Sequence, residues 1–534
     1  MTKILSLCVA ILLCAGPAIA QIRFENVSKA AKMEAMPRST HPDPKIASAR
    51  RDFENVYAPG YFWDVKDVNF ADVNGDGNLD VFLLHERYSL WSRLWLGNGK
   101  GGFKEVPSAV EGIYFNVDEL VGEQKFCMTV PYDFEGRGAQ SLLLSGPGSG
   151  GGDVGGTGGR SRRLTLVVPK GGNGLPRFRP EGIWSAGRSI MLSDFDGDGC
   201  VDMVMGGISE RRENSRNEAG RLVCGMRTGG EIEWGRTWVP VPAGGGDVAA
   251  DFDNDGRPDV LCRGFWQTTR LLHNEGDRRF KDVTQESGLE NLPSGGPVAV
   301  ADFDRRGKLD IFAAGTVAGG KDGAYRLLRN MGGSHFTDVT ADAGFGAANT
   351  VAKFKFGTAV AVDFDNDGWI DLVVCEGDRL RLYRNLGNMR FQDVTHASGI
   401  PETVAAESSI AVGDYDNDGR VDLLCVTKDR GVALLHNTTQ NDNGWIKVKL
   451  VGPPGNPEGA GAQVTLFEPG KLGDANAIVG YQELIVCTDF RIARPLHFGL
   501  GSLKTCDVRV VFPGRKTVEQ RGVESGKTAV VTYP

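Results

Sequence analysis

The chain alternates short apolar runs, such as Ala359 to Val362 and Ile370 to Cys375, with tight clusters of Asp, Asn and Gly. Runs of that length, rich in β-branched residues and bounded by turn formers, predict strands. The clusters between them repeat. Five are intact: Asp72-Val-Asn-Gly-Asp-Gly, Asp194-Phe-Asp-Gly-Asp-Gly, Asp251-Phe-Asp-Asn-Asp-Gly, Asp363-Phe-Asp-Asn-Asp-Gly and Asp414-Tyr-Asp-Asn-Asp-Gly. Two are eroded, at Asp133 and Asp302, with Arg137 and Arg306 at the fifth position. The seven first positions are separated by 61, 61, 57, 51, 61 and 51 residues. About four strands fit one such period, so the pattern predicts an all-β fold, a β-propeller of seven blades.

A second marker supports closure of the ring. Phe103-Lys-Glu-Val, Phe280-Lys-Asp-Val-Thr, Phe336-Thr-Asp-Val-Thr and Phe391-Gln-Asp-Val-Thr follow their loops by roughly thirty residues, the loop at Asp414 has no follower, and Phe24-Glu-Asn-Val-Ser stands before any loop. The N-terminal strand is therefore expected to complete the last blade and remove the open edges. The expected organisation is a signal peptide over 1–20, the propeller over 21–440, and a small β-sandwich or barrel over 441–534 whose strands include Ile446 to Val451, Val508 to Phe512 and Thr528 to Tyr533. Met1 to Ala20 carries one basic residue, an apolar run and Ala18-Ile19-Ala20 as a cleavage site, which predicts a secreted, extracellular or periplasmic protein with no membrane insertion. The Gly-rich stretch Ser145 to Gly159 reads as a flexible surface loop.

The loops carry the chemistry. Carboxylates or amides at positions 1, 3 and 5, a backbone carbonyl at 7 and an Asp at 9 can wrap a hard cation in oxygen, while Gly at 6 permits the turn. The expected calcium ligands are Asp72, Asn74, Asp76, Asn78 and Asp80; Asp194, Asp196, Asp198, Cys200 and Asp202; Asp251, Asp253, Asp255, Arg257 and Asp259; Asp363, Asp365, Asp367, Trp369 and Asp371; and Asp414, Asp416, Asp418, Arg420 and Asp422, with the position-7 residues acting through their carbonyls. An EF-hand needs Glu at position 12, where this chain has Leu83, Met205, Cys262, Val374 and Cys425. About five structural Ca²⁺ are thus expected. In the eroded loops the guanidinium of Arg137 or Arg306 is expected to pair with Asp133 or Asp302 in place of the ion.

The formal charge of −8 becomes −9 without Lys3, and five Ca²⁺ would bring it to about +1, so the acidity is counter-charge for the metal and says little about partners. No basic footprint suggests nucleic acid. Cys262, Cys375 and Cys425 read as buried thiols, Cys487 and Cys506 as the one pair to test as a disulfide, and Asn26 and Asn437 begin glycosylation sequons.

At the loop residues the chain resembles the FG-GAP (VCBS-type) repeat family, whose loops are shared with integrin α-subunit propellers. Gly444-Trp445 through Gly452, Gly459-Ala-Gly-Ala-Gln-Val464, His497-Phe-Gly-Leu-Gly501 and Val511-Phe-Pro-Gly514 resemble an ASPIC/UnbV domain, although Asn456-Pro457 and Phe512 depart from that family's usual Asn-Arg pair and Trp. Together they make the architecture of the cartilage acidic protein family. The resemblance implies an extracellular, calcium-stiffened module with no catalytic activity to carry over.

No HExxH, GxSxG or P-loop is present, and His497 reads as a packed residue. A binding or adhesion protein for an extracellular protein or glycan ranks first. A polysaccharide lyase or hydrolase ranks second, to be distinguished by a charged cluster in the central funnel. A purely structural accessory protein ranks third.

Overall fold

The computed structural model describes residues 21–31, 33, 65–85, 93–106, 128–145, 163–170, 174–184, 189–205, 220–228, 231–241, 248–262, 269–316, 323–345, 358–376, 379–401, 409–427, 432–488 and 491–534. The expected signal peptide and nearly all of the Gly-rich stretch lie outside these residues. Among them the regular structure is strands, with two single turns of 3₁₀-helix at Ala475–Ala477 and Pro513–Arg515. No helix among the described residues is long and apolar enough to cross a membrane.

Seven antiparallel sheets follow one another along the chain, each with four strands from the repeats. In the first, Val65–Ala71, Asp80–His85, Arg93–Gly97 and Phe103–Glu105 pair in chain order. The last is completed by the chain's beginning: Phe24–Asn26 pairs with Val432–Asn437, Phe24 opposite Asn437. The first strands of successive blades line the centre, and Val65–Ala71 packs against Ile410–Gly413, so the first and last blades adjoin. Inner strands such as Ala359–Val362 are buried throughout, being covered by neighbouring blades on both faces, whereas the outer strand Phe391–Asp393 buries only its Phe.

Two repeated contacts fasten blade to blade. The aromatic at position 2 of a loop meets the marker Phe of the next blade edge-on: Phe195 with Phe280, Phe252 with Phe336 and Phe303 with Phe391, at ring separations of 5.5–6.2 Å. Phe364 meets Phe24 in the same way, and Tyr415 meets Phe103 of the first blade, carrying the series across the closure. The second contact is a buried Asn on the third strand of the fourth to seventh blades. The amides of Asn274, Asn330, Asn385 and Asn437 donate to the carbonyls of Phe195, Phe252, Phe303 and Phe364 in the preceding blade, at 2.8–3.0 Å. Each also donates to the residue before position 9 of its own loop.

Asn385→Ala would leave two carbonyls without their donor at a fully buried place, and a buried group left unpaired costs about 1–3 kcal/mol. A loss of about 2–4 kcal/mol in a denaturant melt is expected, against less than about 0.5 kcal/mol for a substitution at exposed Met331. The same burial removes Asn437 as a glycosylation acceptor: it is fully enclosed. Asn26 lies in the paired N-terminal strand, its side-chain oxygen held by Ser28.

After Asn437 the chain re-enters strand at Gly444 and builds two further sheets. One pairs Gly444–Val451 with Leu496–Gly501 and, in parallel, with Lys527–Thr532; the other runs Ile478–Glu483, Gln463–Phe467, Thr505–Phe512, Lys516–Glu524. Their facing residues, including Val448, Val464 and Val508, share one core with Val130 and Leu192 of the propeller. From this sandwich the described residues Leu484 to Thr488 and Arg491 to Leu496 reach the inner strands of the propeller. Val486–Cys487 pairs with the inner strand Ile190–Ser193, Ile492 bridges to Val412, and Arg491 meets Asp67 at 2.7 Å.

The cysteine pairing is corrected by this path. Cys487 is seated at Met191 of the propeller and Cys506 in the sandwich core, and neither is in a disulfide. Cys262, Cys375 and Cys425 are buried thiols outside any disulfide, as expected.

Candidate metal centres

Each loop is folded by its own first and last Asp. Asp72 accepts the N–H groups of Gly75, Asp76 and Gly77, and Asp194, Asp251, Asp363 and Asp414 repeat the bond to the position-6 Gly at 2.6–3.0 Å. These turns need positive φ at positions 4 and 6: φ is +74° at Gly75 and +85° at Gly77, and Asn254, Asn366 and Asn417 take the fourth position at +57° to +61°. The position-9 residues Asp80, Asp202, Asp259, Asp371 and Asp422 are fully buried. One oxygen of each accepts the position-2 N–H of its loop, and the other accepts an N–H from the third strand, such as Gly97 to Asp80 or Asn385 to Asp371.

Position 5 points inward beside position 3: Asn74 donates to Asp76, and the Asp255 and Asp367 N–H groups donate to Asp253 and Asp365. The N–H groups of Asn78, Cys200, Arg257, Trp369 and Arg420 donate back to the position-5 carboxylates. Carboxylate oxygens therefore converge. Those of Asp194, Asp196 and Asp198, and of Asp251, Asp253 and Asp259, lie within 4.8 Å of one another.

Such clusters hold protons tightly. Burial, reinforced by neighbouring loop carboxylates, raises Asp80 to about 7 and Asp202 to about 8, and the same causes hold Asp363 and Asp371 well above the usual carboxylate range. Buried oxygens of Asp363 and Asp416 have no hydrogen-bond partner among the described residues. Convergent oxygens, mutual repulsion and unsatisfied lone pairs fit a hard divalent cation. The fit is uneven, because Arg384 reaches Asp365 at 2.6 Å and Asp367 at 2.8 Å in the fourth intact loop.

A pH dependence follows for the metal-free chain. The folded pKa of these Asp residues lies above the unfolded value near 3.8, so the folded state binds more protons between about pH 4 and 8. Stability without metal is expected to fall as pH rises through that window and to lose this slope when cation replaces proton, which denaturant midpoints at pH 5, 6.5 and 8 would read.

The eroded loops correct one expectation. Their Arg side chains pair with position 3, not position 1: Arg306 with Asp304 at 2.6 Å and Arg137 with Glu135 at 2.8 Å. Asp302 and Asp133 keep their backbone bonds, to the N–H groups of Arg306 and Gly307 and of Arg137 and Gly138. A guanidinium two residues on reaches the inward carboxylate more directly than one already held by the turn.

One position beside the loops was missed by sequence reasoning. The residue just before the third-strand N–H donor meets the loop carboxylates in four intact repeats, as Cys224, His273, Arg384 and His436, while Leu96 at the same place in the first packs against the apolar core. The Leu-Leu-His-Asn word, which occurs twice, and its variants Leu-Leu-Arg-Asn and Leu-Tyr-Arg-Asn were its available signal.

The C-terminal sandwich is seated on the loops. Lys447 Nζ lies 2.8 Å from Asp414, Gln463 donates to Asp251 at 2.9 Å, Glu483 accepts the Asp251 N–H at 3.0 Å, and His497 Nε2 lies 2.7 Å from Asn366. His497 is packed in a strand, and burial lowers its pKa to about 4. Asn456-Pro457-Glu458 covers the eroded second loop: Tyr132 donates to Asn456, Pro457 lies over Gly136, and Gln140 donates to Glu458 at 2.7 Å. A cavity of about 570 Å³ beside them, lined in part by Asp72, Lys447 and Arg494, leaves a path to the first loop.

The FG-GAP-like repeat model matches residues 251–313 and 363–425. Cartilage acidic protein 1 of Homo sapiens is 28% identical over 290 residues, covering 50% of this chain and 40% of the relative. The Xenopus tropicalis protein is 26% identical over 311 residues, covering 54% and 45%. The chain thus spans under half the length of these relatives. Among solved structures, an Agrocybe aegerita lectin specific for non-reducing terminal N-acetylglucosamine aligns over 63% of this chain and 80% of its own, at 18% identity and TM-score 0.40. A Bacillus licheniformis rhamnogalacturonan lyase aligns over 71% and 73%, at 12% identity and TM-score 0.39.

Proposed function

We propose, from the premise that the chain is an FG-GAP repeat protein related to cartilage acidic protein 1, that it is a secreted calcium-binding propeller serving as an extracellular binding or adhesion module. The observation that carries this reading is the use made of the loop face. Acidic loops that fit cations lie between the blades' inner strands, the sandwich is docked on that same face, and its Val486, Cys487, Arg491 and Ile492 meet the inner strands. A partner, protein or glycan, would then be met on the opposite face, where loops from several blades converge.

The enzyme reading called for a charged cluster in the central funnel. Arg491 and Asp67 do meet there, but both are buried, and Asp67 is further satisfied by Ser409, Asn69 and the Thr129 N–H. That arrangement supports a structural pin over an open catalytic site. Surface plasmon resonance of the protein against panels of extracellular glycans and matrix proteins, with calcium and with chelator, tests the proposal. Saturable, calcium-dependent binding without product release is expected; release of unsaturated or reducing sugar ends from a polysaccharide would overturn it.

A further inference from the structure

The sandwich is seated on the loops of six blades and spans the first without bonding to it. Besides its contacts at the second, fourth, sixth and seventh loops, its Gly455 carbonyl accepts the Val201 N–H of the third at 2.9 Å, and its Ile478 lies against Gly307 of the fifth. Among the described residues no hydrogen bond or ion pair joins the sandwich to Asp72 through Asp80. A Cβ placed on Gly77 would meet nothing within 4 Å. The cavity of about 570 Å³ occupies this gap. Its size falls within the range of about 300–1,000 Å³ in which small organic ligands are held.

The sandwich strand Gly444–Val451 lines the gap with half of one face. Trp445, Lys447, Lys449 and Val451 alternate along the strand and so share that face. Trp445 lies against Gly419 and Lys447 meets Asp414 at 2.8 Å, so the first half of the row docks on the seventh blade. The second half, Lys449 and Val451, lines the cavity. Val451 and Val530, which stands opposite Lys449 on the adjoining strand, are two of the four exposed large apolar side chains among the described residues. An exposed apolar patch at the rim of a cavity marks a place where something binds. Pro454, Pro457 and Pro495 extend the apolar wall, and none of the described lining residues is aromatic, so the wall suits an aliphatic chain over a stacked ring.

Every charged side chain of the lining but one is already partnered. Asp72 and Asp133 accept N–H groups of their own loops, and Glu135 pairs with Arg137 at 2.8 Å. Glu458 accepts from Gln140 at 2.7 Å and meets Arg494 at 3.1 Å, while Lys447 is held by Asp414. Lys449 alone has no hydrogen bond or ion pair among the described residues. An ammonium standing beside an aliphatic wall is matched by an anion with an apolar body, which gains a charge-assisted hydrogen bond at one end and buries hydrocarbon at the other. We propose that this cleft is a binding site for a small aliphatic carboxylate, held by Lys449 at its head and by Val451, Pro454 and Pro457 along its chain. The site draws on no loop cation and lies on the loop face, away from the face where a macromolecular partner is met, so its failure leaves that reading standing.

Isothermal titration of the full chain with butanoate, hexanoate and octanoate tests it, beside acetate, which lacks the chain, and octanol, which lacks the charge. Saturable binding of octanoate at a single site is expected, tightening from butanoate to octanoate as more hydrocarbon is buried and weaker for acetate and octanol. Lys449→Gln should weaken octanoate about tenfold and leave octanol unchanged. Thr528→Trp, which fills the cavity from the adjoining strand, should abolish binding of both. No heat with any of the carboxylates, equal affinity for octanoate and octanol, or octanoate binding that Lys449→Gln leaves unchanged overturns the proposal. Lys449 is exposed, so Lys449→Gln decides the matter if Thr528→Trp fails to fold.

Discussion

Chelation of bound cations is expected to lower the melting temperature of the protein by on the order of 10 °C, with about five Ca²⁺ released per chain when calcium is the only dication supplied. A ligand at a hundred-fold excess over its Kd stabilises by about 2.7 kcal/mol per site. Five sites give on the order of 13 kcal/mol, and a chain of this length moves by roughly 1 °C per kcal/mol, extrapolating from smaller proteins. The size of the effect has a structural cause: without the cation, buried carboxylates such as Asp371 and Asp363 face one another inside each blade. Thermal scans with calcium and with chelator, beside elemental analysis, measure it. An unchanged melting temperature with no bound metal would reduce the loops to turns. That outcome is physically possible, because the Asp residues at positions 1 and 9 already close each turn through backbone N–H groups.

That double duty explains why the loops were legible in the sequence. Asp72 and Asp80 are fixed by local hydrogen bonds, so spacing alone locates them. The role of Phe24 was legible for a similar reason: its place in the repeated marker stands for one contact, the edge-on meeting with Phe364. What escaped depends on register between strands distant in sequence. His273 faces Asp259 only because Asn274 is bonded to that Asp across the sheet, and no spacing of one histidine from another reveals this. The arginines of the eroded loops were recognised, but their partners were misplaced, because Asp302 was already occupied by the turn. Cys487 and Cys506 shared a stretch of sequence yet not a core, since the segment carrying Cys487 leaves the sandwich for the propeller.

That descending segment carries the other large expected effect. Arg491 and Asp67 are almost wholly enclosed at the propeller centre, at 2.7 Å. Removing one partner of a buried pair leaves an uncompensated charge and costs about 3–5 kcal/mol, whereas replacing both with apolar groups can be nearly neutral. Arg491→Met alone should therefore be strongly destabilising, and Asp67→Leu with Arg491→Met should recover only part of the loss. The recovery is incomplete because Asp67 also accepts from Ser409, Asn69 and the Thr129 N–H, drawing together the inner strands of the first, second and seventh blades. A double-mutant cycle in denaturant measures the coupling directly. Coupling above about 2 kcal/mol would make the pair the pin that joins sandwich to propeller. Additive single effects would instead place the anchorage in the strand pairing at Met191 and Leu192 and in the loop-face contacts of Lys447 and Gln463.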